Sequence, residues 1–465
     1  MAGDISYRGR RVIVVGLARQ GKAAARYLAE RGAKVTVSDR KAADQLSAEI
    51  AELDGLDIEF IFGGHPPELL VGADLLCLSG GVPAGLPLAQ QARRRGIELT
   101  NDAQLFLEAA PAPSIGITGS AGKTTTTALV GRMAAAALAS TGRHAWVAGN
   151  IGRSPLADID AMSPEDWIVL ELSSFQLELM TASPHVAVIL NVTPNHLDRH
   201  GTMDAYREAK ARILEFQGPQ DIAVLGREDA GVWSLRDRVR GRMVSFGTTR
   251  PVGGEGTFVK ESAIWWVGRE GETLLLEIGT IELRGAHNLS NVLAASAIAV
   301  ASGFPPEAIR AGVRDYRGEP HRLEWVRSFG GADWYDDSIA TAPERALAAL
   351  RSFDEPLILL AGGRDKDLPW SDFAQIVIRR VDHVVLFGEG GPLIELALRS
   401  AMQGSTDVRL ETLDRVAGLD EAVEAAARRA APGDVVLLSP GGTSFDEFPD
   451  FAARGDRFQE RVKRL

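Results

Sequence analysis

Cysteine is almost missing from this sequence: Cys77 is the only one in 465 residues. No intramolecular disulfide can form. That excludes a disulfide-stapled secreted module and fits a reducing, cytoplasmic setting. Cys77 lies in the apolar stretch Leu75–Leu78 and reads as a buried strand residue. No segment reaches the roughly 18 apolar residues of a membrane span, so no membrane insertion is expected. Arg8, Arg10 and Arg11 precede an apolar run, but the run is short and leads into a turn and helix, unlike a signal peptide. An excess of positive charge is also lacking. The formal net charge is −11, which argues against nucleic acid or an anionic membrane surface as a partner. Anionic substrates remain compatible if local basic groups hold them. Internal repeats and low-complexity tracts are absent.

What is present is ordinary soluble-enzyme composition, 45% hydrophobic and 24% charged, over a length that splits into several cores. Short apolar runs such as Val12–Val15, Ile168–Leu170, Val186–Leu190, Leu357–Leu360 and Val435–Leu438 alternate with helical periodicity. Strands of this kind, spaced by helices, imply parallel sheets with βαβ crossovers. Boundaries are expected near Ala110–Pro113 and Gly318–Pro320, giving domains 1–110, 111–318 and 319–465. The fold expectation is α/β with three domains. A Rossmann-like N-terminal domain precedes a P-loop-type parallel-sheet central domain, and a Rossmann-like C-terminal domain follows. The stretch Val244–Leu283 alternates around Phe246, Phe258, Trp265 and Trp266 and reads as a small antiparallel sheet on the central domain.

Two glycine turns stand out. The first, Gly16-Leu17-Ala18-Arg19-Gln20-Gly21, sits between an apolar strand and a helix, and the next strand ends at Asp39. Ala18 occupies the place of the glycine that lets backbone approach a pyrophosphate, so the turn argues for a nucleotide-binding shape without NAD. The second is Thr118-Gly119-Ser120-Ala121-Gly122-Lys123-Thr124. Backbone N–H groups of such a turn face phosphate oxygens, and the following helix adds a favourable dipole. Lys123 is placed to reach terminal phosphates, and Thr124 to offer a hydroxyl to Mg2+. Only two residues separate Gly119 from Gly122, so the spacing is not the Walker pattern. The run Thr124–Thr127 is poor helix material and points to function rather than stability. Further on, the spacing predicts a helix over Met203–Phe216 that carries Tyr206, Lys210 and Leu214 on one stripe. A lysine there is partly desolvated, which favours its neutral amine.

The shortened T-G-x-x-G-K-T loop resembles that of the Mur ligase family, and later motifs agree in order. They include Gly149-Asn150-Ile151-Gly152, Glu171–Glu178, Asn191–Asp198, Tyr206–Lys210, Gly285–Asn291 and His321–Glu324. The run Ser444–Gly455 looks like the glutamate-adding branch. The resemblance spans essentially the whole chain. It implies an enzyme: a cytoplasmic ligase of peptidoglycan precursor synthesis, and so of cell-wall biogenesis, cell shape and division. It implies ATP and two Mg2+ ions as cofactors, with UDP-N-acetylmuramoyl-L-alanine and glutamate as partners, in a monomer. ATP would phosphorylate the muramoyl carboxylate, and the glutamate amine would then displace phosphate. By the same resemblance Lys123, Glu171, His196 and Lys210 are catalytic. Thr124, Glu171, His196 and carbamylated Lys210 hold metal. Gly119, Ser120, Ala121, Gly122, Lys123, Thr124, Thr125, Asn288, Asn291, Arg322 and Asp337 serve ATP. Gly16, Leu17, Ala18, Asp39, Ser79, Gly80 and Asn150 are candidates for the UDP substrate, and Thr341, Lys366, Ser444, Phe445 and Phe451 for glutamate.

Two departures lie beside the expected amino-acid site. The usual D-S-K-A-T-N reads Asp337-Ser338-Ile339-Ala340-Thr341-Ala342, replacing a lysine by Ile339, and the usual S-P-A-C-A-S reads Ser439-Pro440-Gly441-Gly442-Thr443-Ser444. D-glutamate is the family expectation, and an L-glutamate-adding variant is the alternative. Lys366 or Arg364 are candidates to supply the missing charge. A folylpolyglutamate synthetase-like ligase is more remote, because residues 1–110 form a complete additional domain. A nucleotide-binding regulator has no need of Glu171, His196 and Lys210 together.

Overall fold

The computed structural model describes residues 6–150, 154–194 and 197–465, with 197–198 as backbone alone. The chain forms two compact units, one running from residue 6 to 281 with 287–316, the other comprising 282–286 and 317–465. No described helix is long and apolar enough to cross a membrane.

The first unit holds two sheets. The first is built from β1 (Arg11–Val15), β2 (Lys34–Asp39), β3 (Ile58–Phe62), β4 (Leu75–Leu78) and β5 (Glu98–Thr100) in the order β3-β2-β1-β4-β5. Its pairings are all parallel. Val12, Val14, Leu76 and Leu78 are each at most 1% exposed or nearly so on its two faces, which is why these strands read as unbroken apolar runs. Cys77 is buried in β4, between Val14 and Thr100. The order of strands reverses between β1 and β4, so the crevice at their carboxyl ends is the switch point of a doubly wound sheet.

The second sheet runs β14-β13-β12-β11-β10-β9-β6-β8-β7. Its strands are β6 (Ser114–Thr118), β7 (Ala145–Gly149), β8 (Trp167–Glu171), β9 (Val186–Ile189), β10 (Ile222–Gly226), β11 (Arg242–Phe246), β12 (Glu255–Lys260), β13 (Ala263–Gly268) and β14 (Gly271–Glu277). Here the structure refines the expectation for Val244–Leu283. Strand β11 pairs in parallel with both neighbours, and only β12, β13 and β14 are antiparallel to one another. They extend the main sheet as its edge rather than forming a separate one. Alternation reports which side chains share a face; it does not report partner direction.

The second unit holds β15 (Glu324–Phe329), β16 (Ala332–Asp336), β17 (Leu357–Gly362), β18 (His383–Phe387), β19 (Thr412–Arg415) and β20 (Val435–Gly441), ordered β15-β16-β20-β17-β18-β19. Only β15 runs antiparallel. Apolar side chains of β17 and β20 alternate between two cores, Leu357 and Leu359 on one face and Ile358 and Leu360 on the other. Each such fully buried side chain contributes about 1.5–3 kcal/mol, so the central strands are fixed by burial on both faces.

Candidate active site

Strand register brings the phosphate loop to a carboxylate. Strand β6 lies between β8 and β9, and Ile117 is the register partner of Glu171 at the end of β8. The Thr124 hydroxyl, at the start of the helix Lys123–Leu138, donates to Glu171 Oε2 at 2.8 Å. The Asn150 amide donates to Glu171 Oε1 at 3.0 Å. Glu171 is buried, so these two donors offset much of the cost of removing its carboxylate from water.

The loop itself is clasped from β9. Asn191 Oδ1 accepts from Ala121 N at 2.8 Å, while its amide donates to Ala121 O at 3.0 Å. The Ser120 hydroxyl donates to Thr193 O at 3.0 Å, and Thr193 N donates to the same hydroxyl oxygen at 3.0 Å. Gly122 has φ +82°, and a Cβ there would run into Asn291 Oδ1. Glycine is therefore required both by the left-handed turn and by the close approach. The Asn291 amide nitrogen donates to Asn288 Oδ1 at 3.0 Å. Thr125 is buried in the first turn of the helix.

Two lysines meet at one carbonyl. Gly119 O accepts from Lys123 Nζ at 2.8 Å and from Lys210 Nζ at 2.9 Å. Lys210 is 1% exposed on the helix Met203–Glu215, and its Nζ stands 4.6 Å from the Tyr206 ring centroid. Burial, and then the nearby Lys123 charge, push its pKa down to about 6, against an opposing pull from Glu171. The side chain is therefore mostly a neutral amine at neutral pH. His196 lies outside the described residues. Thr124 and Glu171 present hard oxygen atoms side by side, a donor set suited to Mg2+.

In the first sheet, Asp39 Oδ2 accepts from Leu17 N at 2.8 Å, and Asp39 Oδ1 accepts from Lys41 N at 2.9 Å. Gly16 follows β1 and donates its N–H to Ser38 O at 2.8 Å, while Ser79 and Gly80 follow β4. Gly16, Leu17, Ala18, Asp39, Ser79 and Gly80 thus share the carboxyl edge of this sheet. Arg19, next along the chain, donates to Asn150 O at 3.2 Å, so Asn150 joins this edge to Glu171.

In the second unit, three loops leave adjacent parallel strands. Ser439 Oγ donates to Asp337 Oδ2 at 2.8 Å, Arg364 and Thr443 exchange backbone hydrogen bonds at 2.8 Å each, and Lys366 Nζ reaches Thr341 Oγ1 at 3.3 Å. Burial raises the Asp337 pKa to about 7, opposed by the Ser439 bond and by Arg322. Arg322 sits between His321 and Leu323, both at positive φ (61° and 45°). Leu323 N bonds Asp337 Oδ1 at 3.3 Å, and the His321 ring bonds Asp336 Oδ2 at 2.8 Å. Gly455 lets the helix Phe451–Arg464 approach that ring, since a Cβ there would collide with Nδ1. Ser444 is buried and Phe451 half-buried, whereas Phe445 is 61% exposed.

Residues that the sequence reading did not single out do much of the positioning. Arg454 is 1% exposed and donates to Ser338 Oγ, Ser338 O and Gly442 O at 3.0, 2.9 and 3.1 Å, tying two of the loops together. Asn191 and Arg454 lay inside quoted motif runs, but their tertiary partners carry no local signal.

Comparison with known proteins gives the family. Residues 10–101 match the MurD-like N-terminal domain of Mur ligases, 117–299 the Mur ligase middle domain, and 321–442 the Mur ligase glutamate ligase domain. A UDP-N-acetylmuramoylalanine–D-glutamate ligase of Symbiobacterium thermophilum is 42% identical, covering 98% of each chain. The chain belongs to the Mur ligase family. One of the same name from Geobacillus kaustophilus is 39% identical over 99% of this chain and 98% of that one. Among solved structures, a UDP-N-acetylmuramate–alanine ligase of Thermotoga maritima shares the fold with a TM-score of 0.57 at 20% identity, covering 98% of this chain and 99% of that one.

Proposed function

We propose that this Mur ligase adds D-glutamate to UDP-N-acetylmuramoyl-L-alanine with hydrolysis of ATP to ADP and phosphate, in peptidoglycan precursor synthesis. The observation that carries the reading is the cluster of Thr124, Glu171, Lys123 and Lys210 around the Gly119 turn. It combines a phosphate cradle, a carboxylate with a hydroxyl, and a neutral buried amine. The muramoyl carboxylate oxygen attacks the γ-phosphorus, and ADP leaves. The glutamate amine then adds to the acyl carbon, and phosphate leaves with the anhydride oxygen. Both steps gather negative charge, which the Lys123 ammonium and bound cations would stabilise.

In this reading Lys123 swings from Gly119 O to the terminal phosphates, while Gly119, Ser120, Ala121, Gly122, Thr124 and Thr125 cradle them. Thr124 and Glu171 would hold one Mg2+, and His196 with carbamylated Lys210 would hold a second. Bound Mg2+ supplies charge neutralisation for the phosphoryl group. Carbamylation joins the Lys210 amine to CO2 with loss of one proton, and a neutral amine is the form that reacts. Asn288 and Asn291 line the adenine side, with Arg322 and Asp337 also serving the nucleotide. Gly16, Leu17, Ala18, Asp39, Ser79, Gly80 and Asn150 receive the UDP precursor. Thr341, Lys366, Ser444, Phe445 and Phe451 surround glutamate. The domains divide as 1–110, 111–318 and 319–465, since the helix Asp102–Ala109 ends before β6, and Pro306–Val313 before β15.

The test is direct ligation. Purified protein with ATP, Mg2+ and UDP-N-acetylmuramoyl-L-alanine is given each enantiomer of glutamate, and phosphate and the new amide are measured. Amide formation with D-glutamate is expected. Phosphate release without any amide, or amide only with L-glutamate, overturns the reading or its stereochemistry respectively.

A further inference from the structure

The cations of the second unit fall into two groups. Arg364 pairs with Glu389 at 2.8 and 3.1 Å, so its charge is committed. Arg454 spends its donors on Ser338 and Gly442. Arg322, Arg345 and Lys366 behave differently. Arg322 Nε is buried without a partner. Among the described residues Lys366 has only the Thr341 hydroxyl, at 3.3 Å. Arg345 has no side-chain hydrogen bond or ion pair among the described residues. Arg345 nevertheless lies within electrostatic reach of both Arg322 and Lys366. Arg345 is exposed at the surface; partial desolvation and then the Arg322 charge lower its pKa, against an opposing pull from Asp337. Desolvation, then Arg345, then Arg454 do the same to Lys366.

Local structure adds a further penalty. Arg345 occupies the first turn of the helix Pro343–Leu350, where the macrodipole is positive and a cation is disfavoured. Its neighbour Glu344 is exposed and does not pair with it. Repulsion from Arg322 and the helix field oppose this placement, Asp337 pulls the other way, and no hydrogen bond or ion pair among the described residues holds the guanidinium. An anion arriving here relieves both the repulsion and the helix field without breaking a side-chain bond of Arg345.

We propose that Arg345 is a substrate-binding residue of the amino-acid site, holding a carboxylate of glutamate together with Lys366 and Thr341. The inference rests on the ligase reading above and names the cation that substitutes for the one absent at Ile339. Arg364, considered for that role from sequence, is tied to Glu389. A guanidinium fork beside an ammonium and a hydroxyl suits a planar carboxylate. Glutamate carries two carboxylates, so a single lysine leaves one of them without a cation.

The experiment is steady-state kinetics on the full chain, varying D-glutamate, ATP and the UDP precursor separately. Variants are Arg345→Ala, Arg345→Lys, and Arg345→Ala combined with Ile339→Lys. Loss of one charge-assisted contact should raise the glutamate KM of Arg345→Ala by about 10- to 100-fold. The KM for ATP and for the UDP precursor should stay near wild type, and both lysine-bearing variants should recover affinity. A glutamate KM in Arg345→Ala unchanged from wild type overturns the proposal. So does a rise confined to ATP, or a failure of both lysine variants to recover. If wild type forms no amide with either enantiomer, it is the ligase reading that fails.

Discussion

The phosphate-loop region of the first unit and the loop cluster of the second handle charge in opposite ways. Around Gly119 the charged groups are bonded within the chain. Glu171 has Thr124 and Asn150, and both lysines share a carbonyl of the loop they serve. In the second unit the buried acids are satisfied, Asp337 by Ser439 and Asp336 by His321, while Arg345 lies within electrostatic reach of Arg322 and of Lys366. The first region is pre-formed and must exchange bonds when its ligand arrives. The second stores repulsion that an anion relieves. A nucleotide site can be rigid because its ligand is always the same; an amino-acid site gains selectivity by leaving charge unmet until the right dicarboxylate enters.

The largest test of the first region removes charge but not shape. Glu171→Gln can keep its bond from Thr124 yet loses the carboxylate. Ligation should fall by about 100- to 1000-fold, the usual cost of deleting one electrostatic element of a phosphoryl-transfer site. Thermal stability should hold. Steady-state phosphate release checks this, and a variant of near-normal rate would remove Glu171 from the chemistry.

Asp337 sharpens the contrast through pH. Its folded pKa, about 7, lies above the ordinary aspartate value of 3.8. The folded chain therefore holds a proton that the unfolded chain has released between about pH 4 and 7. This contribution to stability is fully present below pH 4 and is lost as pH rises through 7. Complete burial puts its size at up to about 4 kcal/mol across that window. Denaturant unfolding of the second unit at several pH values should show the slope, and Asp337→Asn should flatten it. Next in size is Arg454→Met. It leaves Ser338 O and Gly442 O without their donor, which should cost about 2–3 kcal/mol of stability, read from the same unfolding curves.

Sequence carried much of this, and its failures are instructive. Apolar runs bounded by turns placed the strands, because strands buried on both faces need unbroken apolar residues, as in β17 and β20. The direction of β11 was not legible, since hydrogen-bond direction leaves no mark on a side-chain pattern. Lys210 was legible as a lysine on an apolar stripe, and the structure buries it. Arg345 was not. From spacing alone it is one more arginine on an amphipathic helix. Its significance comes from the cations near it and from the lack of a hydrogen-bonded carboxylate among the described residues, a property of tertiary neighbours. Arg454 likewise reads as surface charge until the helix Phe451–Arg464 docks.

The smallest effect concerns Gly122. The left-handed φ of +82° costs a residue with a Cβ about 1–2 kcal/mol, and the added methyl must also displace Asn291 Oδ1. The two costs fall on different things. Backbone strain is spread over the turn that Asn191 already clasps, whereas the steric push acts on the Asn288–Asn291 pair. Gly122→Ala should therefore lower stability by only about 1–2 kcal/mol, because the clasp and the buried helix behind it remain. It should raise the ATP KM more than it changes the glutamate KM. Arg345→Ala should do the reverse. Measuring both variants against both substrates separates a region whose geometry is fixed in advance from one whose charge waits for its ligand. Equal responses in the two substrates for either variant would erase that distinction.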